Sequence, residues 1–294
     1  MGILFPKVPD QHKPNKPLIP TGFGVFYVLV STVYLFLIYY LELLQDKTPV
    51  SAPLTLAVCI LFGGFMGLLD DWIDLKWRYK AFLPLVAAIP LVSFASIMHL
   101  RTAISLPFLG TFDFGSYYYF IIIPLLVTIV TNTINQLGGL NGLETICPAI
   151  IMIGFMFVSG GNAVLLYGPF AIWLLLTLLN FTGKIFVGNT GSFAIGISLV
   201  SFAIISDLKL DLLISLLPYV FNSALILLTF FLFKTKASVS FDGKRLVSDH
   251  RRSLITLVVF HRPLTERQTV IIISLLVALS TAIASFLQVL SSST

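Results

Sequence analysis

Residues 54–74 read LTLAVCILFGGFMGLLDDWID, an apolar run that ends in three carboxylates. The run Leu54–Leu69 carries no charged residue and is nearly long enough to cross a hydrocarbon core of about 30 Å as a helix. On a continuing helix, Asp70 and Asp74 lie one turn apart and Asp71 lies three residues before Asp74, so we expect their carboxylates to share one cavity. Acidic groups at a membrane are costly, and the cluster therefore indicates a site that gathers cations or handles a proton. A hydrated helix cap is the alternative.

The composition indicates a membrane protein that crosses the bilayer many times. Hydrophobic residues make up 57% of the chain, charged residues make up 11%, and the mean hydropathy is +0.98. We expect an all-α bundle that forms a single domain over residues 1–294, with a cytoplasmic N-terminal segment at 1–21 and a cytoplasmic loop at 234–267. The short apolar run Leu254–Phe260 has basic residues on both sides and predicts a helix at the membrane interface.

Nine apolar runs are long enough, or nearly so, to cross the membrane. These predicted spans are Gly22–Leu44, Pro53–Leu69, Ala81–Met98, Tyr117–Ile134, Leu143–Ser159, Ala163–Phe181, Phe186–Ser206, Leu212–Phe233 and Val270–Leu290.

The distribution of basic residues predicts the orientation. With the N-terminus in the cytoplasm, only Lys47, Arg101 and Lys209 lie outside, so 15 of the 18 Lys and Arg residues lie inside. The net charge of +5 then reflects topology, and we expect no nucleic-acid partner. Every polar cluster falls on the cytoplasmic side, which predicts a site for a charged cytosolic substrate and for a lipid that reaches it from the bilayer. These clusters span residues 70–80, 132–144, 184–192 and 234–267.

Amides and glycines join two of the predicted spans. Asn132 and Asn135 lie one turn apart, and the segment continues through Asn141 and Gly142 to Glu144. Carboxamides bind hard cations and also recognise the edges of nucleobases, and glycine lets the main chain approach a ligand closely. A glycine-rich turn with asparagine caps explains the same residues equally well.

Two further segments suit phosphate groups. Phe186–Ser192 stands at the start of a predicted span, where free N–H groups favour anions, although a simple helix cap is the alternative. The loop from Lys234 to Arg267 contains Lys234, Lys236, His250 and Arg251. It could hold a pyrophosphate, or it could anchor the chain to anionic lipid.

Taken together, these segments resemble the polyprenyl-phosphate N-acetylhexosamine-1-phosphate transferases, and in particular the branch that makes dolichyl-diphosphate N-acetylglucosamine. The resemblance runs from about residue 10 to the last span. The segments that carry it are Lys13–Gly22, Asp70–Lys80, Thr131–Asn135, Gly139–Glu144, Phe186–Thr190 and Pro263–Arg267.

The resemblance implies the reaction of UDP-GlcNAc with dolichyl or polyprenyl phosphate, which gives dolichyl-diphosphate-GlcNAc and UMP. It implies Mg²⁺, with Mn²⁺ as the alternative, an integral membrane location in the cell membrane or the endoplasmic reticulum, and a homodimer as a candidate assembly. The implied catalytic residues are Asp70, Asp71, Asp74 and Lys80, with Asp71 as the base that acts on the lipid phosphate. The implied metal ligands are Asn135 and Asn189. The candidate substrate-binding residues are Asn132, Asn141, Gly142, Phe186, Lys234, His250 and Arg251; among them, Asn141 is implied to recognise uracil and Phe186 to pack on its ring.

The chain departs from the family pattern at Asn189, where the family has an aspartate. The metal would then contact only neutral protein ligands besides the diphosphate. Two other classes of function therefore stay open. One is a family member without turnover that serves as a membrane binding or regulatory protein. The other is a transporter, which is disfavoured because the acidic residues lie at one face and no internal repeat is evident.

Overall fold

The computed structural model describes residues 5–43, 51–106, 110–234 and 238–293. Lys47 and Lys236, which the sequence places on opposite sides of the membrane, lie outside the described residues. The helices are α1 Gly24–Leu43, α2 Ala52–Ile73, α3 Trp77–Ala87, α4 Ile89–Ile97, α5 Ile123–Gln136, α6 Leu143–Val158, α7 Val164–Phe181, α8 Gly188–Ile205, α9 Lys209–Ser215, α10 Leu217–Phe233, α11 Leu254–Phe260 and α12 Glu266–Ser293.

Three short antiparallel hairpins accompany the helices. They pair β1 Lys7–Pro9 with β2 Leu18–Pro20, β3 Ala103–Leu106 with β4 Gly110–Asp113, and β5 Ser240–Phe241 with β6 Leu246–Val247. A π-helical turn, Tyr118–Ile122, precedes α5, and a 3₁₀ turn, Gly160–Ala163, precedes α7. The prediction of a helical membrane bundle is confirmed, and the hairpins are additions that lie between helices.

All nine predicted spans are helical over their described residues. Within the described residues, seven segments are long and apolar enough to cross a membrane, α9 and α10 together give an eighth, and α6 is a shorter apolar helix. The run Ala81–Met98 divides into α3 and α4, where Pro90 lacks the N–H that would continue the helix. Between α9 and α10 the chain bends by 54°, next to Pro218. The short helix at Leu254–Phe260 is confirmed, while its place at the membrane interface stays a prediction.

Helix α8 lies at the centre of the bundle and positions the site. It packs against α1, α2 and α5, and nearly all of its side chains are buried. Gly67 of α2 lies against the main chain of Asn189 and Thr190, where a Cβ atom would collide with backbone atoms. Close approach through small residues is the usual packing mode of membrane helices. Here it brings the end of α2 directly against the first turn of α8.

The last helix, α12, closes the bundle. It packs along α6 and α9, and its first residue, Glu266, is buried. Helix α11 precedes it and begins at a capping box, in which Ser253 and Thr256 bond to each other's main chain. The beginning of α12 therefore reaches the end of the bundle that also holds the end of α2 and the beginning of α8.

Candidate active site

Asp70 occupies the last buried position of α2. Asp70 is only 3% exposed, and its Oδ1 accepts a hydrogen bond from the N–H of Leu75 at 2.9 Å. The same oxygen forms an ion pair with Lys80 Nζ at 2.8 Å. Asp74 ends the helix in the left-handed region, with φ of 45°, and its exposed carboxylate lies 3.8 Å from Lys80. Lys80 therefore balances two carboxylates at the helix end.

Asp71 points the other way, toward the beginning of α8. Its carboxylate accepts hydrogen bonds from the N–H of Asn189 at 2.8 Å, the N–H of Thr190 at 2.9 Å and the Thr190 hydroxyl at 2.7 Å. Gly188, with φ of +71°, makes room, because a Cβ there would lie 2.8 Å from Asp71 Oδ2. A carboxylate is favoured at this place by the free N–H groups and the helix dipole.

The expectation that Asp70, Asp71 and Asp74 share one cavity is therefore wrong. The helix ends at Ile73, so the assumed helical relation to Asp74 is lost. Asp70 and Asp71 are neighbours whose side chains leave the helix about 100° apart, and they contact different partners. Only Asp71 reaches the cavity described next.

A cavity of about 430 Å³ opens beside Asp71. Four of the predicted site residues line it, namely Asp71, Asn135, Phe186 and Asn189. The remaining lining residues are Thr21, Gln136, Gly138, Gly139, Glu144 and Gly188. Its volume is within the usual range for small-molecule sites.

The structure brings the two predicted metal ligands together. Asn135 Nδ2 donates to Asn189 Oδ1 at 2.9 Å and to Ser192 Oγ at 2.8 Å. Asn135 Oδ1 thus faces away from these contacts. With the carboxylates of Asp71 and Glu144 beside the same cavity, the donors are oxygen atoms of the kind that Mg²⁺ prefers. The residues present therefore fit a divalent cation.

Asn141 does not line this cavity. It is 4% exposed, and its amide Nδ2 donates to Asp10 Oδ2 at 2.7 Å and to Glu266 Oε1 at 3.0 Å. Its main-chain N–H also donates to Glu266 Oε1, at 2.8 Å. Lys13 completes the group with an ion pair to Glu266 at 2.8 Å. Asn141 is therefore held between the N-terminal segment and the first turn of α12.

Asp10, His12 and Glu266 could be read as a second metal site, since one ligand atom of each lies within 4.8 Å of the others. The carboxylate oxygens already have donors, however. Asp10 Oδ1 accepts the N–H of His12 at 3.2 Å, and Glu266 Oε2 is paired with Lys13. A cation would have to displace these N–H donors and the ammonium, so the cluster supports the position of Asn141 rather than a metal.

Gly142 is a structural residue, which corrects its assignment to substrate binding. Its N–H donates to Asn180 Oδ1 at 2.8 Å and is thus not available to a ligand. Its φ of +95° suits only glycine, and a Cβ would lie 2.7 Å from the Phe181 ring. Asn180 Nδ2 also donates to the carbonyl of Ile185 at 2.9 Å. The buried Asn180 therefore links the main chain at Gly142 to the main chain at Ile185.

Asn132 also supports the site from outside it. Its Nδ2 donates to the carbonyl of Lys80 at 3.1 Å and to that of Thr128 at 2.9 Å. The contact fixes the main chain of Lys80, whose ammonium meets Asp70. Asn132 therefore acts on the site through Lys80 and not by lining the cavity.

The basic loop is not brought to the cavity. Lys234 ends α10 in the left-handed region and is exposed. His250 exchanges hydrogen bonds with Ser248, and Arg251 contacts His261 at 2.9 Å and stacks over the Phe260 ring. None of the cavity-lining residues among the described parts of the chain comes from this loop. The expectation that Lys234, His250 and Arg251 contact the substrate is thus not supported by this arrangement.

Sequence reasoning missed Glu144, Asn180, Asp10 and Glu266 as parts of the site. Glu144 had a usable signal, because it is an acid in the first turn of an apolar helix directly after a glycine turn. Asp10 and Glu266 carried no local signal of their contact with Asn141, since each lies more than 120 residues from it in the sequence.

Comparison with known proteins shows the family to which the chain belongs. The family model described as glycosyl transferase family 4 matches residues 53–207. A Saccharolobus solfataricus protein with the provisional name UDP-N-acetylglucosamine–dolichyl-phosphate N-acetylglucosaminephosphotransferase is 32% identical over 95% of this chain and 87% of its own length. The Schizosaccharomyces pombe protein of that name is 25% identical over 74% of this chain and 59% of its own length. The Bacillus subtilis phospho-N-acetylmuramoyl-pentapeptide-transferase is 26% identical over 81% and 74%. The chain belongs to glycosyl transferase family 4.

Proposed function

We propose that this membrane enzyme transfers GlcNAc-1-phosphate from UDP-GlcNAc to dolichyl or a related polyprenyl phosphate, with release of UMP. The observation that carries the proposal is the cavity at the meeting of α2 and α8, where Asp71, Asn135, Glu144 and Asn189 gather oxygen donors beside Phe186. Such donors suit a cation on a diphosphate, and an aromatic ring suits a base. The relatives named for this reaction support the choice of substrates.

The reaction needs an oxygen of the lipid phosphate to attack the phosphorus that carries GlcNAc. The new P–O bond forms as the bond to the UMP oxygen breaks, and UMP leaves with that electron pair. Asn135, Asn189 and Glu144 would hold Mg²⁺, which would supply neutralisation of the charge on the diphosphate.

The side chains have separate roles in this proposal. The second pKa of a phosphate monoester is about 6, so the lipid phosphate is already largely dianionic at neutral pH and needs little help from a base. Asp71 is then a positioning residue, because its three hydrogen bonds hold Asn189 and the first turn of α8. Lys80, held by Asp70 and Asn132, provides a cation for the phosphate oxygens.

The orientation of the site belongs to the same proposal. The site is at the cytoplasmic end of the bundle, where UDP-GlcNAc is available, and Arg101 and Lys209 mark the opposite end. These two residues meet through a hydrogen bond from Lys209 Nζ to the Arg101 carbonyl at 2.5 Å. A homodimer is a candidate assembly on the strength of the resemblance alone.

The test is a transfer assay with radiolabelled UDP-GlcNAc, dolichyl phosphate and Mg²⁺ or Mn²⁺, followed by extraction of the lipid. We expect labelled lipid that depends on both the metal and the lipid phosphate. Asp113→Asn, on the exposed β3–β4 hairpin, is a matched control that loses one carboxylate far from the cavity. An inert wild type beside an active Asn189→Asp variant would contradict the proposal and support a binding protein.

A further inference from the structure

A long apolar groove lies between α6 and α12 at the surface of the bundle. It consists of two cavities, of about 580 Å³ and about 200 Å³, which share the lining residues Ile150 and Ala278. The groove follows α12 from Val270 to Val289, a distance of about 28 Å at about 1.5 Å per residue. A hydrocarbon core is about 30 Å thick, so the groove follows nearly the whole of it. Its shape therefore suits an elongated apolar molecule.

Close contact between the two helices forms the floor of this groove. Gly154 of α6 lies so near to α12 that a Cβ atom would collide with the Thr281 side chain. Small residues allow this approach, which is common between membrane helices. Phe157 of α6 and Phe286 of α12 also line the groove, and each is more than half exposed. The groove is thus a concave apolar strip that is open toward the bilayer.

The end of the groove at the beginning of α12 carries a positive charge. Phe181 lines the groove there, and the Arg267 guanidinium lies 5.7 Å from the centre of the Phe181 ring. Arg267 is exposed, and the ion pairs among the described residues do not include it. A guanidinium suits a phosphate group, because its N–H donors form a fixed fork. A cation above an apolar strip is complementary to an anionic lipid.

This groove is separate from the catalytic cavity. Ile146, Ile150 and Gly154 line it at intervals of four residues and thus define one face of α6. Glu144 lines the catalytic cavity and precedes Ile146 by two residues, so it points about 200° away around the helix. Helix α6 therefore stands between the two sites. A lipid in the groove is then a different molecule from the acceptor substrate.

We propose that an anionic membrane lipid binds along α6 and α12 as a structural partner of the enzyme, with its phosphate at Arg267 and a hydrocarbon chain in the groove. The two helices carry Glu144 and Glu266 in their first turns. A lipid that packs along both helices stabilises the end of the bundle that holds the site, because it binds only the folded protein. The inference does not depend on the sugar or the acceptor of the proposed reaction.

The experiment adds defined lipids to purified, delipidated protein and measures retained lipid by native mass spectrometry, together with the melting temperature. The lipids are phosphatidylglycerol and phosphatidylcholine with identical chains, and inorganic phosphate is the soluble probe. We expect phosphatidylglycerol to be retained and to raise the melting temperature by a few degrees. Phosphatidylcholine, which has no net charge, and inorganic phosphate, which has no chain, should do neither.

Three variants locate the lipid. Arg267→Gln should weaken the binding of phosphatidylglycerol by about fivefold, the usual effect of one basic residue near an anionic membrane surface. Arg78→Gln is the matched control and should bind as the wild type does, because Arg78 is also exposed and also stacks on a ring, that of Trp77, at 5.7 Å. Ala278→Leu places a larger side chain where the two cavities meet and should reduce retention of the lipid. The KM for dolichyl phosphate should stay unchanged in Arg267→Gln.

Several results would overturn the inference. Equal retention of both lipids by the wild type, or an equal loss of binding in Arg78→Gln and Arg267→Gln, would indicate ordinary annular lipid. Full retention in a folded Ala278→Leu variant would place the chain elsewhere, and equal stabilisation by inorganic phosphate would indicate a simple anion site. A delipidated dimer that is lost in Ala278→Leu would assign the groove to a second copy of the chain, and a raised KM for dolichyl phosphate in Arg267→Gln would assign it to the acceptor. Arg267→Gln changes an exposed side chain, so it decides the question even if Ala278→Leu does not fold.

Discussion

The variant Asp71→Asn distinguishes a positioning role of this carboxylate from a role as general base. The carboxylate accepts three hydrogen bonds from the first turn of α8. In the variant, the amide oxygen can keep both bonds to Thr190, and the NH₂ group must then face the N–H of Asn189. We expect one hydrogen bond and the negative charge at the helix end to be lost, with Asn189 displaced from the cavity.

The size of this effect follows from the contacts. A hydrogen bond to a charged group is worth about 1.5–3 kcal/mol, and the exposure of Asp71 favours the lower value. A charge at a helix N-terminus adds about 0.3–1 kcal/mol. The total is about 2 kcal/mol, which bounds a purely positional loss of activity at roughly 30-fold. Removal of a general base typically costs about 10²–10⁴-fold.

The assay combines transfer of labelled GlcNAc-1-phosphate with thermal unfolding of the purified protein in detergent. We expect a loss of activity of up to about 30-fold and a melting temperature lower by a few degrees. A loss above a thousandfold with unchanged melting would show that Asp71 acts as a base. Wild-type turnover together with wild-type melting would contradict the role of Asp71 at α8.

Three further outcomes follow from the same contacts. Asn189→Asp should lower the Mg²⁺ concentration for half-maximal thermal stabilisation and activity by about tenfold, because a carboxylate near a divalent ion adds roughly 1–4 kcal/mol; unchanged dependence on Mg²⁺ would place Asn189 away from the metal. Asp70→Asn should leave the protein folded but remove most of its activity, because Lys80 loses its buried partner, and near-normal turnover would sink this assignment. In sealed vesicles of a background without native cysteines, a cysteine at Lys13 should be labelled only from the cytoplasmic side and one at Arg101 only from the other; labelling of position 13 from outside would reverse the orientation.

The helices could be predicted because hydropathy alone decides them. An apolar run such as Phe186–Ser206 has to satisfy its main-chain groups internally within the bilayer, and a helix does so. The break after α9 was missed because Pro218 stands inside an otherwise continuous apolar run. Hydropathy predicts the span. The bend depends on local hydrogen bonding, which hydropathy does not register.

The site could be predicted only in part. The resemblance placed Asn135 and Asn189 together, and the structure confirms that they are neighbours at 2.9 Å. The side chains of Asp70 and Asp71 contact different partners, and this depends on where α2 ends. Single residues at a helix terminus decide that end point. Asn141 was recognised as a candidate, but its neighbours Asp10 and Glu266 come from opposite ends of the chain, and no local pattern links them.

The contacts of Asn141 also set an order in the biosynthesis of the protein. Asp10 is made first, Asn141 halfway and Glu266 only when the last helix begins, 125 residues after Asn141. During membrane insertion, Asn141 therefore lacks its second carboxylate partner, Glu266, until α12 emerges from the ribosome. A chain arrested before that point holds most of its helices and still lacks the contact between Glu266 and Asn141. Completion of the last helix is thus the step at which Asn141 acquires its second carboxylate partner.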